Sequence, residues 1–285
     1  MGRKANPFGN FIMNRLSLDN KKKQLIVILK EFDSLAVAFS GGADSAFLLA
    51  VAHEALQKNV VAVTAVSPIH PEREKQKVIE FVKKYGIKHI IVQSKEMSLP
   101  AFVVNNKDRC YVCKKNLFEK LIKISSDSGI KHIAHGANTD DLEDFRPGMI
   151  AAHEMKILAP MIDAGLTKND IRLLSKEMNL ETWNKPALPC LATRIPYGVP
   201  ITIKALEMVD YAEEILISLG FNACRVRKHE NTAMIEVNPE EIENISDKKN
   251  RETIVRKFRK IGFSHVAVDL EGYVLIKRVL NFACK

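Results

Sequence analysis

Residues 35–55 read Leu-Ala-Val-Ala-Phe-Ser-Gly-Gly-Ala-Asp-Ser-Ala-Phe-Leu-Leu-Ala-Val-Ala-His-Glu-Ala. The apolar run at 35–39 predicts a buried strand. Ser40-Gly41-Gly42-Ala43-Asp44-Ser45 breaks the run, and from Ala46 an Ala- and Leu-rich segment predicts a helix. A strand, a glycine turn and a helix start make an anion site, because the turn's amides and the positive end of the helix converge on one point. Gly41 and Gly42 let backbone close around a phosphate where a Cβ would obstruct it. The loop lacks the Gly-Lys-Ser/Thr ending of a Walker A loop and the Gly-x-Gly-x-x-Gly spacing of a dinucleotide fold.

The chain downstream alternates in the same way. Strands are expected at 60–66, 89–92, 132–135 and 157–161, with helices at 71–85, from about 114 to 128, and at 168–179. Such alternation predicts a parallel sheet with right-handed crossovers, and ligands then lie at the C-terminal strand ends. Thr167 and Asp170 have the spacing of a capping box. Ahead of the first strand, Leu16, Leu25, Ile28, Leu29 and Phe32 predict one more helix, after an irregular start around Pro7 and Gly9. Residues 95–109 read as irregular.

Composition shifts at 183–200, which holds Pro186, Pro189, Pro196, Pro200 and Gly198. The domain boundary is placed there, giving a domain at 1–184 and a smaller α+β domain at 185–285. The second half predicts a helix at 203–219, a hairpin of strands 223–228 and 232–237, a helix to about 261, and strands at 265–269 and 273–277. The proline segment also carries Cys190, Thr193, Arg194 and Tyr197, a content suited to a binding loop.

The chain of 285 residues is 46% apolar and 27% charged, with a net charge of +9. These are values of a soluble globular protein with anionic partners. There is no apolar run of about 18 residues and no secretory leader at the start, so a cytoplasmic protein is expected. Lysines are scattered, which disfavours a nucleic-acid face. Five cysteines (Cys110, Cys113, Cys190, Cys224 and Cys284) argue against a disulfide framework in that compartment, and two of them form Cys-x-x-Cys. That pair alone is equally a redox pair, two buried thiols or half of a metal site. Arg225 and Arg227 are two apart on a strand and share a face, where two guanidinium forks suit a phosphate. Glu236 on the partner strand is placed to orient them. Glu214 is either a lining residue or a surface helix residue.

Ser-Gly-Gly-x-Asp-Ser at 40–45 resembles the PP-loop of ATP pyrophosphatases, which cleave ATP between its α and β phosphates. Together with residues 136–148, Pro-Cys-Leu-Ala-Thr-Arg-Ile-Pro-Tyr-Gly at 189–198 and Arg-Val-Arg-Lys-His at 225–229, the chain resembles the LarE family. The resemblance implies a doubly wound α/β sheet of the adenine nucleotide alpha hydrolase-like type with a smaller C-terminal α+β domain for substrate binding and oligomerisation. It implies adenylation of a carboxylate of pyridinium-3,5-biscarboxylate mononucleotide, then its conversion to a thiocarboxylate for the nickel-pincer cofactor. ATP and Mg²⁺ would be held by Ser40, Gly41, Gly42, Asp44, Ser45 and Asp140. The substrate phosphate would lie on Arg194, Arg225 and Arg227, with Glu236 beside them. Cys190 is the expected sulfur position, and Asp44 its catalytic companion at the nucleotide. Family members of one type give up the sulfur of this cysteine. Others resemble a three-cysteine type, and Cys110, Cys113 and Cys190 point to a [4Fe–4S] cluster fed by a sulfide donor. The family tends to form homo-oligomers. A tRNA 2-thiolating PP-loop enzyme is the rival reading, and a nucleotide-sensing module without turnover a second.

Overall fold

The computed structural model describes residues 7–143 (side chains from 17 onward), 146–186 and 189–273. The elements run α1 (Pro7–Lys30), β1 (Leu35–Ala38), α2 (Ala43–Leu56), β2 (Val60–Val66), α3 (Glu72–Lys84), β3 (Lys88–Gln93), α4 (Pro100–Val103), α5 (Arg109–Asp127) and β4 (His132–His135). After these come α6 (Pro147–Glu154), α7 (Pro160–Asp163), α8 (Lys168–Glu177), α9 (Ile203–Ser218), β5 (Arg225–His229), β6 (Thr232–Glu236), α10 (Ile242–Ser246), α11 (Lys248–Ile261) and β7 (His265–Val268). The chain divides into two compact units, one of 1–66, 72–94 and 110–186, the other of 67–71, 95–109 and 187–285.

The first unit is built on a four-stranded sheet in the order β3-β2-β1-β4. Every pairing in it is parallel. Strand side chains alternate between faces, and both faces are covered. Leu35, Val37, Val60 and Ala62 pack with Phe47 and Leu48 of α2, Phe81 and Val82 of α3, Leu25 and Leu29 of α1, and Ile171 and Leu174 of α8. Ala36, Val61, Val63 and Ile133 pack on the other side with Phe118 and Leu121 of α5 and Ala151 of α6. Burial on both faces is why β1 and β2 read as continuous apolar runs.

Several expectations shift. The first helix already runs from Pro7, because proline is tolerated where a helix begins and its amide would be unpaired anyway. Residues 95–109 contain a 3₁₀ turn and α4. The fifth strand expected at 157–161 is not formed: Leu158 makes one parallel bridge to Ala134, and Pro160 then opens the helical turn α7. Proline fixes φ and lacks the amide that a ladder needs. The capping box at Thr167 and Asp170 is present.

In the second unit, β5 and β6 pair antiparallel and β7 joins β6 parallel. Val226, Ala233 and Ile235 pack with Ala212 and Leu216 of α9 and Ile254 and Phe258 of α11. The expected strand 273–277 and Cys284 lie outside the described residues, apart from Tyr273. No helix of the described residues is long and apolar enough to cross a membrane.

Candidate functional site

The loop after β1 is shaped by two glycines. Gly41 sits at φ +74°, and a Cβ there would lie 2.6 Å from Val78 Cγ2, so glycine satisfies both backbone and space. Gly42 is the N-cap of α2, and no side chain caps that terminus. First-turn amides are therefore left for an external acceptor, at the positive end of the helix. Ser45 Oγ accepts from the Ser40 amide at 3.3 Å and lies 3.1 Å from Ser40 Oγ. Lys185 Nζ donates to the Gly41 carbonyl at 2.8 Å and to Glu74 Oε2 at 2.5 Å. Burial pushes the Glu74 carboxyl up, but Lys185 and Lys77 outweigh it, so Glu74 titrates below its ordinary value.

Asp44 stands in the first turn of α2. Its Oδ2 accepts from Lys168 Nζ at 3.2 Å, while its Oδ1 is buried without a hydrogen-bond partner. Burial raises the Asp44 pKa, against the pull of Lys168. An inward carboxylate oxygen with no donor beside uncapped amides fits a divalent cation carrying phosphates. The loop after β4 closes this side. A Cβ on Gly136 would fall 2.8 Å from the Ser45 amide nitrogen, so glycine lets that backbone reach the start of α2. Asp140, in the 3₁₀ turn Thr139–Leu142, is exposed, and its Oδ2 accepts from the Lys168 amide at 3.2 Å. Asp141 caps the same turn and pairs with Arg146. The first unit thus gathers Ser40, Gly41, Gly42, Asp44 and Ser45 around one helix start, while Asp140 holds the Lys168 amide whose side chain reaches Asp44.

Cys110 and Cys113 lie near the start of α5, both half-buried and in no disulfide. Three apart on a helix, they share a face. Among the described residues, no three His, Cys, Asp or Glu side chains are grouped as a metal site.

The second unit carries the rest. Cys190, half-buried and in no disulfide, is the N-cap of the 3₁₀ turn Leu191–Arg194. The Leu191 amide donates to Ile69 O at 2.8 Å, and Thr193 Oγ1 to Cys190 O at 2.9 Å. Arg194 is only 1% exposed. Its Nε and Nη2 donate to the two oxygens of Glu213 at 2.8 and 3.1 Å. Nη1 donates to Pro189 O at 2.7 Å and to Thr193 Oγ1 at 3.0 Å. Burial opposes the Arg194 charge, but Glu213 keeps its pKa above the ordinary value. Arg194 therefore braces the Cys190 loop, with Nε and Nη1 turned onto protein acceptors rather than outward to a ligand.

Arg225 and Arg227 do share a face of β5. Arg227 donates to Glu236 Oε1 at 2.5 Å and to the Thr193 carbonyl at 3.2 Å, tying the strand to the cysteine loop. Arg225 stacks on Tyr273, 4.3 Å from the ring centre, and donates to its hydroxyl. Burial, and then the nearby Arg194, lowers the Arg225 pKa. Asn105 at φ +64° donates to Pro196 O and Val199 O, each at 2.8 Å. It also accepts from Arg109, whose guanidinium stacks on Tyr197.

Sequence reading missed Glu213, Lys168, Lys185 and Tyr273. Glu213 was legible in principle: an acid on the apolar stripe of Val209, Ala212 and Leu216 demands a buried partner. Glu214, its neighbour, is only half-buried. Lys185 gives no local signal.

Compared with known proteins, residues 15–145 match the PP-loop domain family. Over 258 residues, 90% of this chain and 93% of the relative, the sequence is 32% identical to the pyridinium-3,5-bisthiocarboxylic acid mononucleotide synthase of Lactiplantibacillus plantarum. It is 38% identical to an uncharacterised protein of Synechocystis, over 90% of this chain and 96% of the other. An uncharacterised protein of Methanocaldococcus jannaschii is 31% identical over 92% of this chain and 98% of the other.

Proposed function

Since the chain belongs to the LarE family of PP-loop proteins, we propose that it is an ATP-dependent sulfur insertase acting on pyridinium-3,5-biscarboxylate mononucleotide. The observation that carries the reading is the match to the bisthiocarboxylic acid mononucleotide synthase along nearly the whole of both chains. In this reading the unit of 1–66, 72–94 and 110–186 holds the nucleotide, and the unit of 67–71, 95–109 and 187–285 the substrate.

A carboxylate is a poor electrophile, because its leaving group would be oxide. In the proposed reaction a substrate carboxylate oxygen attacks the α-phosphorus of ATP. The bond from the α-phosphorus to the bridging oxygen breaks, and pyrophosphate departs. The first-turn amides of α2, with Gly41, Gly42, Ser40 and Ser45, hold the phosphates. Asp44, with its orphaned Oδ1, would hold Mg²⁺, which would supply positive charge beside the pyrophosphate. Asp140 fixes the backbone of the Lys168 turn beside them. Sulfide then attacks the acyl carbon and AMP leaves. Arg225 and Arg227 bind the substrate's phosphate, Glu236 aims Arg227, and Arg194 fixes the backbone around Cys190.

Cys110, Cys113 and Cys190 would hold a [4Fe–4S] cluster, and the chemistry it would supply there is delivery of sulfide. Cysteine thiols held in no disulfide, two of them sharing a helix face, are the donor chemistry that this cluster takes.

The test is anaerobic incubation of the protein with ATP and either the pyridinium nucleotide or tRNA, following pyrophosphate and the mass of the protein. Pyrophosphate release with the pyridinium nucleotide alone, and an unchanged Cys190, is expected. Release with tRNA alone would replace the reading by tRNA thiolation. Loss of one sulfur from Cys190 would replace the cluster by the sacrificial route.

A further inference from the structure

Asp44 and Lys168 form an ion pair in the loop where the reading above places Mg·ATP. The pair spans 3.2 Å, and the two side chains are 23% and 35% exposed. Only one carboxylate oxygen takes part. Oδ1 is buried and unpartnered, so the lysine satisfies the charge of Asp44 but not its geometry. The lysine backbone, by contrast, is fixed. Its amide donates to Asp140 Oδ2 at 3.2 Å. The Thr139 amide and hydroxyl both reach Leu166 O at 3.0 Å, and the Thr167 capping box begins α8 at this residue. A rigid stem with four methylenes above it lets the ammonium swing while its root stays beside the loop. One turn along α8, Arg172 adds a second positive charge facing Asp44, and its Nε is buried with no hydrogen-bond partner. The wall opposite the start of α2 is therefore cationic, with donors in excess of acceptors.

A divalent cation on Asp44 and an ammonium at 3.2 Å repel each other, so both cannot remain. The phosphates that arrive with the cation are the nearest new anions. We propose that Lys168 is the exchangeable counter-ion of this site: it neutralises Asp44 while the loop is empty and moves to the nucleotide phosphates when the divalent cation takes Asp44. The lysine then stabilises charge on the departing pyrophosphate from the side facing α8, and Arg172 assists it. The inference rests on the nucleotide reading of the loop. It differs from a fixed salt bridge in one measurable way: removing the lysine helps the bare metal and harms the nucleotide that arrives with the metal.

The test is two binding titrations on the full chain. The first uses MnCl₂ alone, with free Mn²⁺ followed by electron paramagnetic resonance. The second uses α,β-methylene-ATP with MnCl₂ at a concentration that saturates Asp44 in every variant, followed by calorimetry. Lys168→Met is expected to bind Mn²⁺ about threefold to tenfold more tightly, since a competing half-buried cation is gone. The same variant is expected to bind the metal-loaded analogue about tenfold or more weakly, the loss of one charge-assisted hydrogen bond. Lys168→Arg keeps both constants near wild type. If Lys168→Met fails to fold, Lys168→Gln carries the same comparison. Constants that move in the same direction, or an unchanged analogue affinity, overturn the exchange. Wild-type protein that takes up no analogue overturns the nucleotide reading and the exchange with it.

Discussion

Glu213→Ala is the most informative single change in the second unit. Glu213 is 0% exposed and Arg194 1%. The two Glu213 oxygens accept from Arg194, and one of them also accepts from the Val226 amide at 3.2 Å. Truncation leaves a guanidinium buried without its anion and a strand amide without its acceptor. Breaking such a pair costs about 3–5 kcal/mol. With a urea dependence of about 2 kcal/mol per molar, the unfolding midpoint falls by about 2 M. Circular dichroism in a urea series reads this directly. The double variant Arg194→Met, Glu213→Leu removes both charges and fills the volume, so it should return to within about 1 kcal/mol of wild type. It still lacks the donors that Arg194 Nη1 gives Pro189 and Thr193, so thiocarboxylate formation should stay low although stability is restored. A midpoint shift below about 0.5 M for the single variant, or a double variant as weak as the single, would refute the view that this pair both stabilises the unit and braces the cysteine loop.

Gly41→Ala imposes a φ of +74° on a residue with a Cβ and drives that atom to 2.6 Å from Val78 Cγ2. Strain of about 1–2 kcal/mol plus the clash should weaken ATP analogue binding at least about tenfold by calorimetry, with partial recovery in Gly41→Ala, Val78→Ala. Burial, then Lys114, lowers the His135 pKa from 6.5 to about 4. Between these values the unfolded chain binds the proton and the folded chain does not, so stability rises with pH across that window. The total is roughly 3 kcal/mol, lost as pH falls from 6.5 towards 4. His135→Leu should flatten this slope in urea midpoints taken from pH 4 to 7, and an unchanged slope would exclude His135 as its source. In the proposed reaction Arg227→Met removes a charge-assisted contact to the substrate phosphate. It should raise KM for the pyridinium nucleotide about tenfold to a hundredfold and leave KM for ATP unaltered; an equal rise in both would contradict a phosphate role confined to β5.

The sequence by itself determined the chemistry-bearing segments. Local grammar wrote the turn at 40–45, the Cys-x-x-Cys, the paired arginines on alternating strand positions and the Thr167 capping box. Each depends on residues within a few positions of one another, where backbone geometry alone dictates who shares a face. The same grammar failed at residues 157–161, where one proline turned an apolar run into a bridge and a helical turn.

Only the tertiary structure decided what those residues touch. It turned Arg194 from a phosphate ligand into a buried brace, because Glu213, 19 positions away, meets it across the packing of α9. It brought Lys185 onto the Gly41 carbonyl across 144 positions and Lys168 onto Asp44 across 124. No periodicity in a chain encodes which distant lysine neutralises a buried carboxylate. That choice follows from the loss of water around the charge, which exists only once the sheet and its helices have closed over it.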